Sequence, residues 1–145
     1  MLAIENLKKE HEKIEWYLKE IEFIMETIPL NYPNLIHTCK ECKSFWDLHE
    51  EKETKIFKIL SKSDFKIPIH KITFEHGELK KHQEAIILAI NSGSEAKIKE
   101  ALEINGKRLI DKIRTHISFE DELIYTIPIE MLNPETIEKL EEFHE

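Results

Sequence analysis

Glycine and proline are scarce in this chain, with three and five in 145 residues. So few turn-forming residues exclude the many tight connections that an all-β sandwich or barrel requires. Cysteine is rarer still. Cys39 and Cys42 form a single CKEC, too few for a disulfide scaffold and only half of a zinc ribbon. No block of Lys or Arg breaks the mixed charge pattern, and the net charge is −8. Neither nucleic acid nor an anionic membrane is therefore an expected partner. No apolar run approaches the ~20 residues that cross a bilayer. The opening MLAIENLKKEHEK turns charged at once and has no signal-peptide core, which makes a cytoplasmic location the expectation.

What remains is a chain that is 41% hydrophobic and 34% charged, a mixture suited to a soluble helical protein. Its length predicts one domain over 1–145. Four long stretches carry helical periodicity between breakers. The first runs from about Leu2 to Ile28 and stops at Pro29. The second runs from about Asn34 to Leu60, ahead of the break Ser61-Lys-Ser-Asp-Phe-Lys66. The third opens near Pro68, whose missing N–H costs nothing in a first turn, and ends around Asn91. The fourth runs from about Ser94 to Thr126, with Gly106 marking close packing or a kink. A short tail helix is predicted from Asn133-Pro134, including Ile137, Leu140 and Phe143. The expected fold is all-α: an up-down-up-down four-helix bundle with a short C-terminal helix.

Each long helix has one apolar seam with steps of three and four. The first reads Ile4, Leu7, His11, Ile14, Leu18, Ile21, Met25, Ile28. The second reads Leu35, Cys39, Cys42, Trp46, His49, Glu53, Ile56, Leu60. The third reads Ile69, Ile72, His76, Leu79, Gln83, Ile86, Ile90. The fourth reads Leu102, Asn105, Leu109, Ile113, His116, Glu120, Leu123, Ile127. Every seam thus holds one histidine, and the second and fourth add a glutamate one turn later. The pairs echo each other. His49-x-x-x-Glu53 resembles His116-x-x-x-Glu120, and Glu10-His11 resembles Glu75-His76. The separations from His11 to His49 and from His76 to His116 are also close, at 38 and 40 residues by subtraction. The chain reads as two helical hairpins related by a weak repeat.

Short loops make successive helices antiparallel, and a rise of 1.5 Å per residue brings the four histidines to within roughly 5 Å in height. One layer should therefore collect His11, His49, His76, His116, Glu53 and Glu120. Two carboxylates in a dry interior would cost several kcal/mol or take up protons unless a cation neutralised them. Six donors exceed the four of a tetrahedral zinc. They suit two metal ions sharing Glu53 and Glu120 as bridges, with the histidines as terminal ligands and an oxo or hydroxo group as a third bridge. Imidazole with carboxylate suits two iron ions, with Zn or Mn as substitutes.

These motifs resemble the hemerythrin-like, HHE cation-binding family. The resemblance is carried by His11, by HEEKE from His49 to Glu53, by EHGEL around His76, and by HISFEDELIYTIP from His116 to Pro128. It spans nearly the whole chain. It implies a four-helix bundle with a non-haem di-iron centre that binds O2 or related small ligands. It also implies His11, His49, Glu53, His76, His116 and Glu120 as ligands. The chain departs from oxygen-carrying hemerythrins at Lys80, where those have a further histidine one turn after the third-helix one. They also use an aspartate five residues after the last-helix histidine. Asp121 stands there, beside Glu120, and either residue is a candidate, with Glu120 favoured by the seam. Glu50 is a lesser candidate ligand.

Two functions follow as expectations, with a structural bundle holding incidental metal as a third reading. One is a module binding O2, NO or peroxide for sensing, storage or delivery. The other is a redox enzyme or iron-handling protein that consumes NO or peroxide or donates iron for iron–sulfur repair. Whether the protein is an enzyme, and which protein partner it has, stay open. Among secondary features, Cys39 and Cys42 read as small core residues, with a redox pair as the alternative. Trp16, Tyr17, Phe45 and Trp46 read as core aromatics, His82 as exposed, and His37 as a loop or helix-start residue. Glu141-x-x-His144 is taken as chance. Leu7, Ile14, Ile56, Leu79, Ile113 and Leu123 should line the metal layer.

Overall fold

The computed structural model describes residues 2–62, 67–125 and 132–142. Helix α1 spans Leu2–Glu26, α2 Tyr32–Ser61 and α3 Ile69–Asn91. Next come α4, Glu95–Ala101, a π-helical turn, Leu102–Gly106, and α5, Lys107–Tyr125, which follow one another without interruption. A short α6, Pro134–Glu141, closes the order. Around the bundle α1 packs on α2, α2 on α3, α3 on α5 and α5 on α1, which closes a ring of four. The all-helical bundle is the one expected. None of the described helices is long and apolar enough to cross a membrane.

Side-chain caps set several of the boundaries. Asn31 accepts from the Asn34 N–H at 3.1 Å and starts α2 two residues earlier than expected, with Pro33 in its first turn. Ser94 accepts from the Lys97 N–H at 3.3 Å and starts α4. Asn133 accepts from the Thr136 N–H at 2.7 Å and starts α6, as expected. Pro68 stands just outside α3 as its cap residue. Helix α1 ends at Glu26, short of the expected Ile28, because the residue before a proline is driven from helical angles. The Thr27 hydroxyl closes the last turn on the Phe23 carbonyl at 2.8 Å, and Ile28 is 94% exposed, off the seam assigned to it. Ile127, Phe143 and His144 lie outside the described residues, as do Thr126 and 63–66.

Among the described residues, the π turn is the one departure inside a long helix. It surrounds Gly106, which is buried. A β-carbon there would lie 3.3 Å from Leu102 Cδ2 and 3.4 Å from Met25 Cε, so the glycine permits close approach of α1. Gly106 takes the buried position that period counting assigns to Asn105, which is half-buried. Asn105 instead accepts from His82 Nδ1 at 3.0 Å, and Lys112 Nζ donates to His82 Nε2 at 3.3 Å. His82 is thus half-buried rather than exposed.

The core comes in two parts. One cluster holds Ile14, Leu18, Leu35, Trp46, Leu79, Leu102 and Ile113 among others. The second holds Ile4, Leu7, Ile56, Phe57, Leu60 and Ile72, and is capped by Leu132 and by Leu140 of α6. Leu7 and Ile14 belong to different clusters, and the residue between them on the seam is His11. Trp46 and Tyr17 are buried and Phe45 is half-buried against the core, but Trp16 is 56% exposed. Trp16 lies off the α1 seam of Ile14, Leu18 and Ile21, and position outweighs its aromatic character.

Candidate metal centre

Between the two apolar clusters lies a polar layer built by all four long helical runs. Helix α1 brings His11, α2 brings His49 and Glu53, α3 brings His76, and α5 brings His116 and Glu120. All six are buried, and Glu53 and Glu120 are 0% exposed. The His-x-x-x-Glu spacing stacks imidazole and carboxylate one turn apart on one helix face. His49 Nε2 is 2.8 Å from Glu53 Oε2, and His116 Nε2 is 3.0 Å from Glu120 Oε2.

The glutamates then reach across the bundle. Glu53 sets Oε2 3.4 Å from His11 Nε2 and Oε1 2.9 Å from His76 Nε2. Glu120 sets Oε1 3.5 Å from His11 Nε2 and Oε2 3.6 Å from His76 Nε2. Two groups result, each with four ligand atoms within 4.8 Å of one another. One is His11, His49, Glu53 and Glu120. The other is Glu53, His76, His116 and Glu120. Both glutamates belong to both groups.

One of these contacts, His11 Nε2 with Glu53 Oε2 at 3.4 Å, is a hydrogen bond, and most of the other facing atoms have none. Among the described residues, none makes a hydrogen bond to His49 Nε2, His76 Nε2, His116 Nε2, Glu53 Oε1 or either oxygen of Glu120, although all are buried. A buried polar group left unpaired costs about 1–3 kcal/mol, more when charged. Several unpaired donor atoms converging on one layer fit a bound cation, which would satisfy them together.

The outward nitrogens are supplied differently. His11 Nδ1 donates to Asp121 Oδ1 at 2.6 Å, His49 Nδ1 to Glu10 Oε1 at 2.8 Å, and His116 Nδ1 to Glu75 Oε2 at 3.0 Å. His76 Nδ1 stands 3.6 Å from Glu50 Oε1, an ion-pair distance only. Lys52 Nζ holds the other oxygen of Glu10 at 2.6 Å, and the Trp46 indole N–H donates to Glu50 Oε2 at 3.0 Å. An imidazole that donates from Nδ1 presents its Nε2 lone pair inward, the tautomer a metal ion needs. Asp121 and Glu50, weighed from the sequence as ligands, face these outer nitrogens instead. Glu10 and Glu75 were not singled out as partners, although the Glu-His repeat that contains them was visible.

Electrostatics follow from the same contacts. Burial alone would lower the His11 pKa, but Asp121, Glu120 and Glu53 outweigh it and push the group up to about 11. His76 is likewise disfavoured by burial and raised by Glu120 and Glu53 to about 10. His49 and His116 are raised as well, against burial, by Glu10 and Glu53 and by Glu120. Burial favours the neutral form of Glu53, yet its facing partners, His11, His49 and His76 among them, hold it well below the ordinary value. Each imidazole of the layer thus holds its proton more tightly than a free imidazole does. Leu7, Ile14, Ile56, Leu79 and Ile113 shield the layer as buried neighbours, and Leu123 is half-buried.

The remaining candidates lie elsewhere. Lys80 is exposed. His37 is exposed on α2 and pairs with Glu41 at 3.3 Å. Cys39 and Cys42 are both free thiols, pushed up to about 12 by burial.

No curated protein and no solved structure matches the chain. The family described as the hemerythrin HHE cation binding domain matches residues 2–127. That span contains every residue of the polar layer and the whole ring of four helical runs. The chain belongs to the hemerythrin HHE cation-binding family, whose domain binds metal cations in a helical bundle.

Proposed function

We propose that the chain is a non-haem di-iron protein that binds O2 or a related small ligand, NO or peroxide, for sensing, storage or delivery. In this reading His11 and His49 serve one ion, His76 and His116 the other, and Glu53 and Glu120 bridge the two. The supporting observation is the division of oxygens. Each glutamate turns one oxygen toward the His11 half and the other toward the His76 half. A carboxylate bridging two cations needs that arrangement, whereas a single ion between four helices does not. Iron is favoured by the nitrogen and carboxylate donors, with zinc and manganese as substitutes.

A di-iron pair would supply a reversible change of oxidation state and an open position for a small ligand. The chain contributes the rest. Asp121, Glu10 and Glu75 fix ring orientation from outside. Leu7, Ile14, Ile56, Leu79 and Ile113 keep bulk water from the layer. His11 and His76, pushed up to about 11 and about 10, would release protons to an arriving ion.

A second reading, iron handling, has its own support. A groove of about 610 Å³ between α3 and α5 is lined by His116, Glu75, Leu79 and Thr115, so the His116 side of the layer lies next to the surface. Metal analysis of protein purified without added metal, with visible spectra before and after O2, tests both readings. About two irons per chain with oxo-bridge absorption is the expected result. A stable, reversible O2 adduct favours binding, whereas ready loss of iron to an acceptor favours handling. No metal and no uptake would overturn both.

A further inference from the structure

A second space, partly open to the surface, lies beneath the polar layer. It is a cavity of about 60 Å³, formed in the larger apolar cluster and bounded by Leu18, Cys39, Trp46, Ile86, Gly106 and Ile110. Trp46 is the wall it shares with the polar layer. Its ring centroid lies 6.0 Å from that of His49, 6.2 Å from His76 and 6.5 Å from His116. The half-buried lining residues, Cys42, Lys43 and Ile87, all belong to α2 and α3, so the cavity meets the surface between those helices. The π turn contributes Gly106 and Leu102 to the wall.

Its chemistry excludes most occupants. Water needs two to four polar partners to occupy a buried site. The polar lining side chains, Lys43 and Gln83, already engage each other at 3.1 Å, and Lys43 also donates to Asp47 at 2.6 Å. The two thiols are protonated, with pKa values pushed up to about 12 by burial, so the wall they form is uncharged. Anions such as superoxide find no counter-charge except at the Lys43 rim. Size excludes a ring. A cavity of ~150 Å³ accommodates benzene, and apolar cavities stay dry and take xenon. At 60 Å³ the space suits one diatomic molecule.

We propose that this cavity is a holding site for one small, neutral, apolar gas molecule of the O2 or NO class, one indole away from the metal layer. Its use rests on the small-ligand reading above, but its existence does not, and the test separates them.

Xenon is the probe, applied under pressure to the intact protein and located by its anomalous scattering or by xenon NMR. The expected result is one xenon in the cavity, with or without metal. Cys42→Met extends a flexible side chain into the space and should lower xenon occupancy at least fivefold. Cys39→Ala enlarges the space and should raise it, which keeps the test decisive if Cys42→Met fails to fold. In iron-loaded protein, Cys42→Met should also slow association of O2 or NO several-fold at unchanged metal content. Xenon absent from the cavity, occupancy indifferent to both variants, or an ordered water in its place overturns the site. Xenon in the cavity with an unaltered association rate overturns its role as a holding site. A chain that takes up no iron but seats xenon defeats the di-iron reading and leaves the cavity standing.

Discussion

Glu53 and Glu120 enter the centre from helices of opposite hairpins and divide their oxygens in the same way. Glu53 Oε2 and Glu120 Oε1 both approach His11 Nε2, at 3.4 and 3.5 Å, while Glu53 Oε1 and Glu120 Oε2 both approach His76 Nε2, at 2.9 and 3.6 Å. Substitution of Glu53 should therefore affect both metal positions together. Glu53→Ala is expected to lower bound metal from about two ions per chain to well under one. Glu51→Ala, whose parent side chain is 65% exposed and pairs with Lys55, should retain the full content. Equal metal content in the two variants would falsify the bridging assignment.

The outer carboxylates make a subtler prediction. Asp121→Asn and Glu10→Gln keep the volume of partners that orient His11 and His49 but weaken their acceptance of the Nδ1 protons. Loss of such partners typically costs ten- to a hundred-fold in metal affinity. Competition with a chelator should show a loss of that size, with helix content by circular dichroism unaltered. Glu50→Gln should cost less, because Glu50 stands 3.6 Å from His76 Nδ1.

Metal uptake should release protons. His11 and His76, raised to about 11 and about 10, carry protons at neutral pH in the metal-free protein, whereas an ion needs neutral imidazoles. Apparent affinity is thus expected to increase with pH across the neutral range. Calorimetry in buffers of different ionisation heat counts the released protons, and a count near zero would contradict the prediction. Folding of the metal-free chain has the opposite dependence. Groups raised in the folded state contribute stability that is complete below their ordinary value near 6.5, and it is lost as pH climbs through 10 to 11. Glu53, held well below its ordinary value, acts at the acid end, and its contribution disappears as pH falls through its depressed pKa.

The thiols provide a folding reporter. Cys39 and Cys42 are held near 12 by burial, and the thiolate is the reactive form. Their modification by a disulfide reagent at pH 8 should be slow in the native protein and become fast in denaturant. Rapid modification of the folded chain would restore the redox-pair reading of CKEC.

Much of this was legible because the chemistry sits on the periodic stripe. His11 falls between Leu7 and Ile14, and Glu53 between His49 and Ile56, so counting by threes and fours finds the buried acids and bases together. Counting loses its authority where the period changes. The π turn places Gly106 where Asn105 was expected and gives His82 a partner that no α-helical count supplies. Contacts between helices are harder still to read. Glu10 serves His49 of α2 rather than its neighbour His11, and Asp121 serves His11 of α1. These are relationships of packing, visible only once the helices are set side by side. Trp16 shows the opposite error, in which residue type was allowed to outweigh position.

The two-part core has a consequence for assembly. Neither hairpin owns a complete set of donors. The first group takes Glu120 from the second hairpin, and the second group takes Glu53 from the first. A half-chain cannot assemble the four donors of either group, and a misdocked pair cannot assemble both. An ion retained at this layer is therefore a certificate of correct docking. Selection for metal retention is at the same time selection for the register between two halves of the polypeptide, so mutations far from the centre are judged by the same criterion as mutations within it.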